Sequence, residues 1–160
     1  MILHYFKKKE NIEHQIAKDI YNEVLKISNL FLGENSYFIQ KDYNSSFEIV
    51  SIFTIIYIKL NIKFKKKNYK YINEEIIKIL VSDLDESLRS KGIGDMSIGK
   101  YVKSYVKKFY FRISKFPNDN NLYNNKSFIE YLKITNLIKN DDYANVSRKF
   151  NDKFGDFINS

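Results

Sequence analysis

The sequence predicts an all-α, single-domain bundle of about six helices, with a glycine–aspartate corner joining two of them. Three observations carry this. One proline, Pro117, and five glycines leave little of the punctuation that a strand-rich fold needs at its turns. Apolar residues recur at three- and four-residue spacings instead of alternating. A chain of 160 residues can bury one sizeable core, so residues 1–160 read as one domain. The opposing signal is the abundance of Ile, Tyr and Phe, which favour strands. Periodicity therefore decides.

The first helix is expected from Ile12 to Leu32, with Ile16, Ile20, Ile27 and Phe31 on its apolar face and Gly33 as a left-handed stop. A polar and aromatic connection follows from Glu34 to Asn44. Asn44 or Ser45 caps the second helix, in which Ile49, Ile52, Phe53, Ile56 and Leu60 follow the helical period. Ile55 and Ile56 are adjacent, which breaks strict alternation, although a buried strand stays open as the alternative. The apolar run Ile49–Leu60 is shorter than the roughly 20 residues a bilayer-spanning helix needs.

Asn73 is the expected N-cap of the third helix, with Glu74 and Glu75 in its first turn. Ile77, Leu80, Val81, Leu84 and Leu88 form its stripe, and Gly92 and Gly94 end it. The fourth helix starts at Asp95 or Ser97. Ile98, Val102, Tyr105, Val106, Phe109, Ile113 and Phe116 make its apolar face. Pro117 and an asparagine-rich loop, Asn118–Asn125, break it. A fifth helix, Ser127–Lys139, and a sixth, Asn145–Ile158, complete the chain.

Composition removes several functions. There is no cysteine, so thiolate metal sites, disulfides and a thiol nucleophile are excluded, and His4 and His14 are the only histidines. Ser97-Ile98-Gly99-Lys100 matches a Ser-x-x-Lys motif, but the companion motifs are absent. Gly92-Ile93-Gly94 opens a dinucleotide fingerprint, but position 97 is serine and no strand precedes it. On a helix Asp83 and Asp85 project about 160° apart, too far round to share one ion readily. No catalytic residue, cofactor or metal is expected. The N-terminus has neither the order of a secretory signal nor the Arg- and Ser-rich character of a transit peptide, so a cytoplasmic location is expected.

The net charge of +8 has two readings. One is codon bias in an AT-rich genome acting on a solvated surface. The other is a surface for phosphates or acidic partners. Lys100, Lys103 and Lys107 share the polar face of the fourth helix. A second cluster, Lys63, Lys65, Lys66, Lys67 and Lys70, is interleaved with Phe64, Tyr69 and Tyr71. Either cluster could hold RNA or an anionic membrane surface. No DNA partner is expected.

The stretch Asp83–Lys100 is unlike the rest. Asp85 and Arg89 are spaced to pair on one helix flank. Gly92 and Gly94 allow backbone conformations closed to other residues. Asp95 or Ser97 can cap the fourth helix. Asp83, Asp85 and Glu86 oppose the dipole at a helix C-terminus, which suggests that this end meets a partner. If Gly94 has a positive φ, Gly94→Val should wreck the corner.

This stretch resembles the signature of the ubiquinol–cytochrome c chaperone family: an aspartate pair, a leucine–arginine, a Gly-x-Gly-Asp turn, a serine and a Gly-Lys, continuing to Phe109-Tyr110 and Arg112. Phe47-Glu48, opening an apolar helix, is also similar to the family. Two positions depart from it. Phe111 stands where a glycine is usual and Ser46 where an arginine is usual, and the C-terminal third matches faintly. The resemblance implies a non-enzymatic assembly factor that binds newly made cytochrome b and promotes maturation of the bc1 complex. It also implies, for mitochondrial members, a companion assembly factor, ribosome association and work on the matrix side of the inner membrane. The partner-binding surface is expected at Asp83, Asp85, Glu86, Arg89, Gly92, Gly94, Asp95, Ser97, Lys100, Lys103 and Lys107. The alternative is a basic RNA- or ribosome-binding helical module.

Overall fold

A computed structural model describes the backbone of residues 2–118 and 126–159 and the side chains of residues 12–118 and 126–153. Six helices make up the described chain: α1 (Ile2–Glu34), α2 (Tyr43–Lys63), α3 (Tyr69–Ser90), α4 (Asp95–Lys115), α5 (Lys126–Thr135) and α6 (Tyr143–Asn159). The all-α bundle expected from periodicity is what forms. Residues 119–125 of the asparagine-rich loop and the His4 side chain lie outside the described residues.

Helix α2 is the axis of the core. It packs against α1, α3 and α4, and Phe47, Ile49, Ile52, Phe53, Ile55, Ile56 and Ile58 are all buried. Burial on every side explains why its apolar residues run on without a polar face. At 21 residues it is longer than its apolar run and passes a length-and-composition test for crossing a membrane. However, 72% of its most apolar stretch is buried inside the bundle, which makes it the core helix. Aromatic rings join the outer helices to it. Phe31 of α1 stacks on Phe150 of α6 at 4.2 Å and meets Phe53 edge-on at 5.6 Å. Phe116, just after α4, meets Tyr131 of α5 at 4.9 Å. The strand-favouring aromatics thus serve as core filling between helices.

Several boundaries differ from expectation. Helix α1 begins at Ile2, and Gly33 lies inside it. Its buried positions among the described residues are Glu13, Ala17, Tyr21, Val24, Ser28 and Phe31, while Ile16 is exposed, so Phe31 is buried as expected but the face before it is offset by one position. Small and polar residues can be buried where helices approach closely, which an apolar-stripe count does not register. Asp42 caps α2, accepting from the Ser45 amide at 2.7 Å. Helix α3 starts four residues before the expected cap. Asn73 is buried within it, accepting from Asn61 at 2.9 Å and donating to the Ile58 carbonyl at 3.3 Å. Helix α5 ends at Thr135, and α6 starts at Tyr143. The α1–α2 and α5–α6 connections are tied by one antiparallel bridge between Ile39 and Ile138.

Candidate functional site

The corner between α3 and α4 is closed by its own backbone. The Gly92 amide donates to the Arg89 carbonyl at 2.9 Å and the Ile93 amide to the Leu88 carbonyl at 3.3 Å, the paired bonds of a Schellman helix end. Gly92 has φ +88, the left-handed conformation this motif assigns to glycine. Gly94 does not. Its φ is −72, it precedes the first turn of α4, and an added Cβ would meet nothing within 4 Å. The expectation that both glycines supply special backbone freedom is corrected to Gly92 alone. Gly94 accepts from the Ser97 and Ile98 amides through its carbonyl, with no side-chain cap from Asp95 or Ser97.

The acidic residues at this end have partners inside the chain. Asp83 accepts from the Tyr21 hydroxyl at 2.7 Å, tying α3 to α1. Arg89 donates to Asp85 at 2.6 Å and also to Asp95, clipping α3 to α4 across the corner. These carboxylates raise the Arg89 pKa above its ordinary value, by hydrogen bonds to Asp85 first and Asp95 second. The surplus acid read from sequence thus reduces to Glu86, which is exposed. Met96, Ser97, Lys100, Lys103 and Lys107 also face solvent, and Met96 is fully exposed.

On α4, Met96, Lys100, Lys103, Lys107 and Tyr110 fall within one narrow stripe at helical spacing. None of the three lysines has an acidic partner within ion-pair distance among the described residues. From Met96 to Asn118 the sequence contains no aspartate or glutamate. The outward face of α4 is therefore a positive strip with an apolar group at each end. Phe111, whose ring lies 5.7 Å from both the Arg112 guanidinium and the Lys115 ammonium, adds to the far end.

The opposite side of α4 holds a charged cluster that periodicity did not mark as a unit. Buried Arg112 donates twice to buried Glu48 of α2, Nε at 2.8 Å and Nη2 at 2.6 Å. Lys108 meets the same carboxylate at 2.8 Å. The Glu48 hydrogen bonds raise the Arg112 pKa. Both residues belong to segments that carry the family resemblance, but their sequence separation gives no local sign that they meet. An open cleft of about 260 Å³ lies beside them, lined in part by Asp42, Asn44, Lys108 and Asn136. It is below the roughly 300 Å³ of ordinary small-molecule sites, and its two cations face two carboxylates. It reads as the mouth of a structural ion pair.

A family model described as ubiquinol–cytochrome c chaperone matches residues 36–117, just over half of the chain. The chain belongs to the ubiquinol–cytochrome c chaperone family. The match spans α2, the corner and α4, so the Glu48–Arg112 pair and the basic strip both lie within the chaperone segment, whereas α1, α5 and α6 lie outside it. No curated protein and no solved structure matches the chain. Membership in this chaperone family supports an assembly role exercised by binding a respiratory-complex protein.

Proposed function

We propose that this chain binds newly made cytochrome b and promotes its entry into the bc1 complex at the inner membrane, with no chemistry of its own. The family assignment supports the client, and the acid-free outward face of α4 supports the surface. Lys100, Lys103 and Lys107 present ammonium groups without an acidic partner among the described residues along two helical turns, and Met96 and Tyr110 supply apolar contact at the ends. Such a strip suits an acidic segment flanked by apolar residues. The corner residues act one step back. Asp85, Arg89 and Asp95 fix the angle at which α4 leaves α3, and Gly92 shapes the turn. Ser97 borders the strip on α4, and exposed Glu86 lies in the last turns of α3. A companion assembly factor or a ribosome near the site of cytochrome b synthesis would fit the same role.

The same strip supports a second reading, a general RNA- or ribosome-binding module, because the lysines could neutralise phosphates. The molecule captured separates the two, because exposed lysine contacts weaken with salt whether they meet carboxylates or phosphates. In affinity purification at low salt of the full chain from cells making the bc1 complex, newly made cytochrome b should be recovered. It should be lost with Lys100→Glu, Lys103→Glu and Lys107→Glu combined. Recovery of ribosomal RNA at low salt, with cytochrome b absent throughout, would transfer the assignment to the second reading.

A further inference from the structure

The turn joining α2 to α3 is a built feature that the client-binding strip does not use. From Lys59 to Asn73 the sequence holds lysines at 59, 63, 65, 66, 67 and 70 and neither aspartate nor glutamate. Lys65 (φ 44) and Asn68 (φ 59) both adopt the left-handed conformation that side chains disfavour. The turn is held there by amide bonds from Phe64 to Leu60, Lys65 to Ile62, Lys66 to Asn61 and Tyr69 to Lys66, at 2.9–3.2 Å. The Asn68 side-chain amide donates to Glu13 of α1. This bonding displays apolar side chains outward: Ile62 is 48% exposed and Phe64 55% exposed, among the lysines.

We infer that this turn docks on an anionic lipid surface, with Phe64 and Ile62 entering the headgroup region and the lysines meeting lipid phosphates. Apolar side chains set among lysines on one exposed feature are the pattern of interfacial attachment. Single-stranded RNA would ask for several exposed ring faces. Here Ile62 offers none, and Tyr69 and Tyr71 are half-buried on α3. The turn and the α3–α4 corner stand at opposite ends of α3. Its 22 residues separate them by about 33 Å, so lipid contact at one end leaves the start of the α4 strip free. The inference deepens the membrane setting proposed above, and it is tested without a client so that either can fail alone.

The chain contains no tryptophan, so Phe64→Trp places a single indole at the turn. Tyr37→Trp, at a 76% exposed position on the α1–α2 connection, is the control. Each folded full-length variant is mixed with vesicles of phosphatidylcholine alone, with vesicles also containing phosphatidylglycerol, and with single-stranded RNA. Emission from position 64 should shift to the blue and become shielded from acrylamide only with the anionic vesicles, while position 37 should not respond. Adding Lys65→Gln, Lys66→Gln and Lys67→Gln should weaken binding on the order of a hundred-fold. No shift at position 64, equal shifts at both positions, equal shifts on neutral lipid, or a response to RNA alone would each overturn the inference. Flotation of the unaltered chain decides the matter if a tryptophan variant is unstable, because the chain must rise with anionic and not with neutral vesicles.

Discussion

Glu48 and Arg112 show what two residues contribute when both lose water. Each is buried, each satisfies the other twice, and Lys108 holds the carboxylate from the cleft side. Replacing one partner leaves an unpaired buried charge, which typically costs about 3–5 kcal/mol. Glu48→Ala should therefore destabilise the fold by an amount in that range in urea unfolding. Glu48→Leu combined with Arg112→Met should restore much of the loss. A loss below about 1 kcal/mol for Glu48→Ala would place the pair in water. The buried tyrosines set an alkaline limit. Burial, and for Tyr21 also the bond to Asp83, pushes the hydroxyls of Tyr21 and Tyr131 far above the ordinary phenol value. The unfolded chain loses these protons first as pH rises, so stability is in full below about pH 10 and falls above it. The fall should approach about 1.4 kcal/mol per pH unit for each tyrosine. Unfolding curves at about pH 8 and pH 11 check this, and Tyr21→Phe with Tyr131→Phe should reduce the difference, leaving the part due to Tyr57, whose hydroxyl burial also pushes up.

At the scale of the elements, the corner divides its two glycines. Gly92 occupies the left-handed region, so Gly92→Ala should cost about 1–3 kcal/mol. Gly94 has ordinary extended backbone and open space at its Cβ position, so Gly94→Ala should stay within about 0.5 kcal/mol of the parent. Equal losses at both positions in thermal unfolding would count against this geometry. Much of the rest was legible in sequence. Leu80, Leu84 and Leu88 of α3 and Ile98 and Phe109 of α4 recur at helical spacing and are buried, as is Phe116 just after α4. What sequence concealed has physical causes. The buried face of α1 runs through Ala17 and Ser28, which carry little hydrophobic signal. Asn73 looks like a cap because asparagine often is one, but it is engaged by Asn61 across α2 and α3. Asp83 looks like free charge until α1 brings Tyr21 to it. In the candidate surface, the spacing of Lys100, Lys103 and Lys107 and the pairing of Asp85 with Arg89 four residues on were readable in advance, whereas the occupancy of Asp83 and Asp95 depended on contacts between helices.

The whole molecule combines a neutralised interior with a charged exterior. Helices α2, α3 and α4 carry the family match, and α1, α5 and α6 close the core around them through Phe31, Tyr131 and Phe150. The net charge of +8 is spread unevenly, since two acid-free stretches hold a large share of the lysines. One runs along α4 beside the corner and the other forms the α2–α3 turn. In the proposed arrangement the first meets the client and the second meets lipid, which orients the bundle with its client strip rising from the membrane surface. The most direct test is the reduced-minus-oxidised haem spectrum of membranes from cells lacking this chain. The b-type signal of the bc1 complex should fall, recover with the wild-type chain, and fail to recover with Lys100→Glu, Lys103→Glu and Lys107→Glu combined. An unchanged b-type signal in the deletion would contradict a role in cytochrome b assembly.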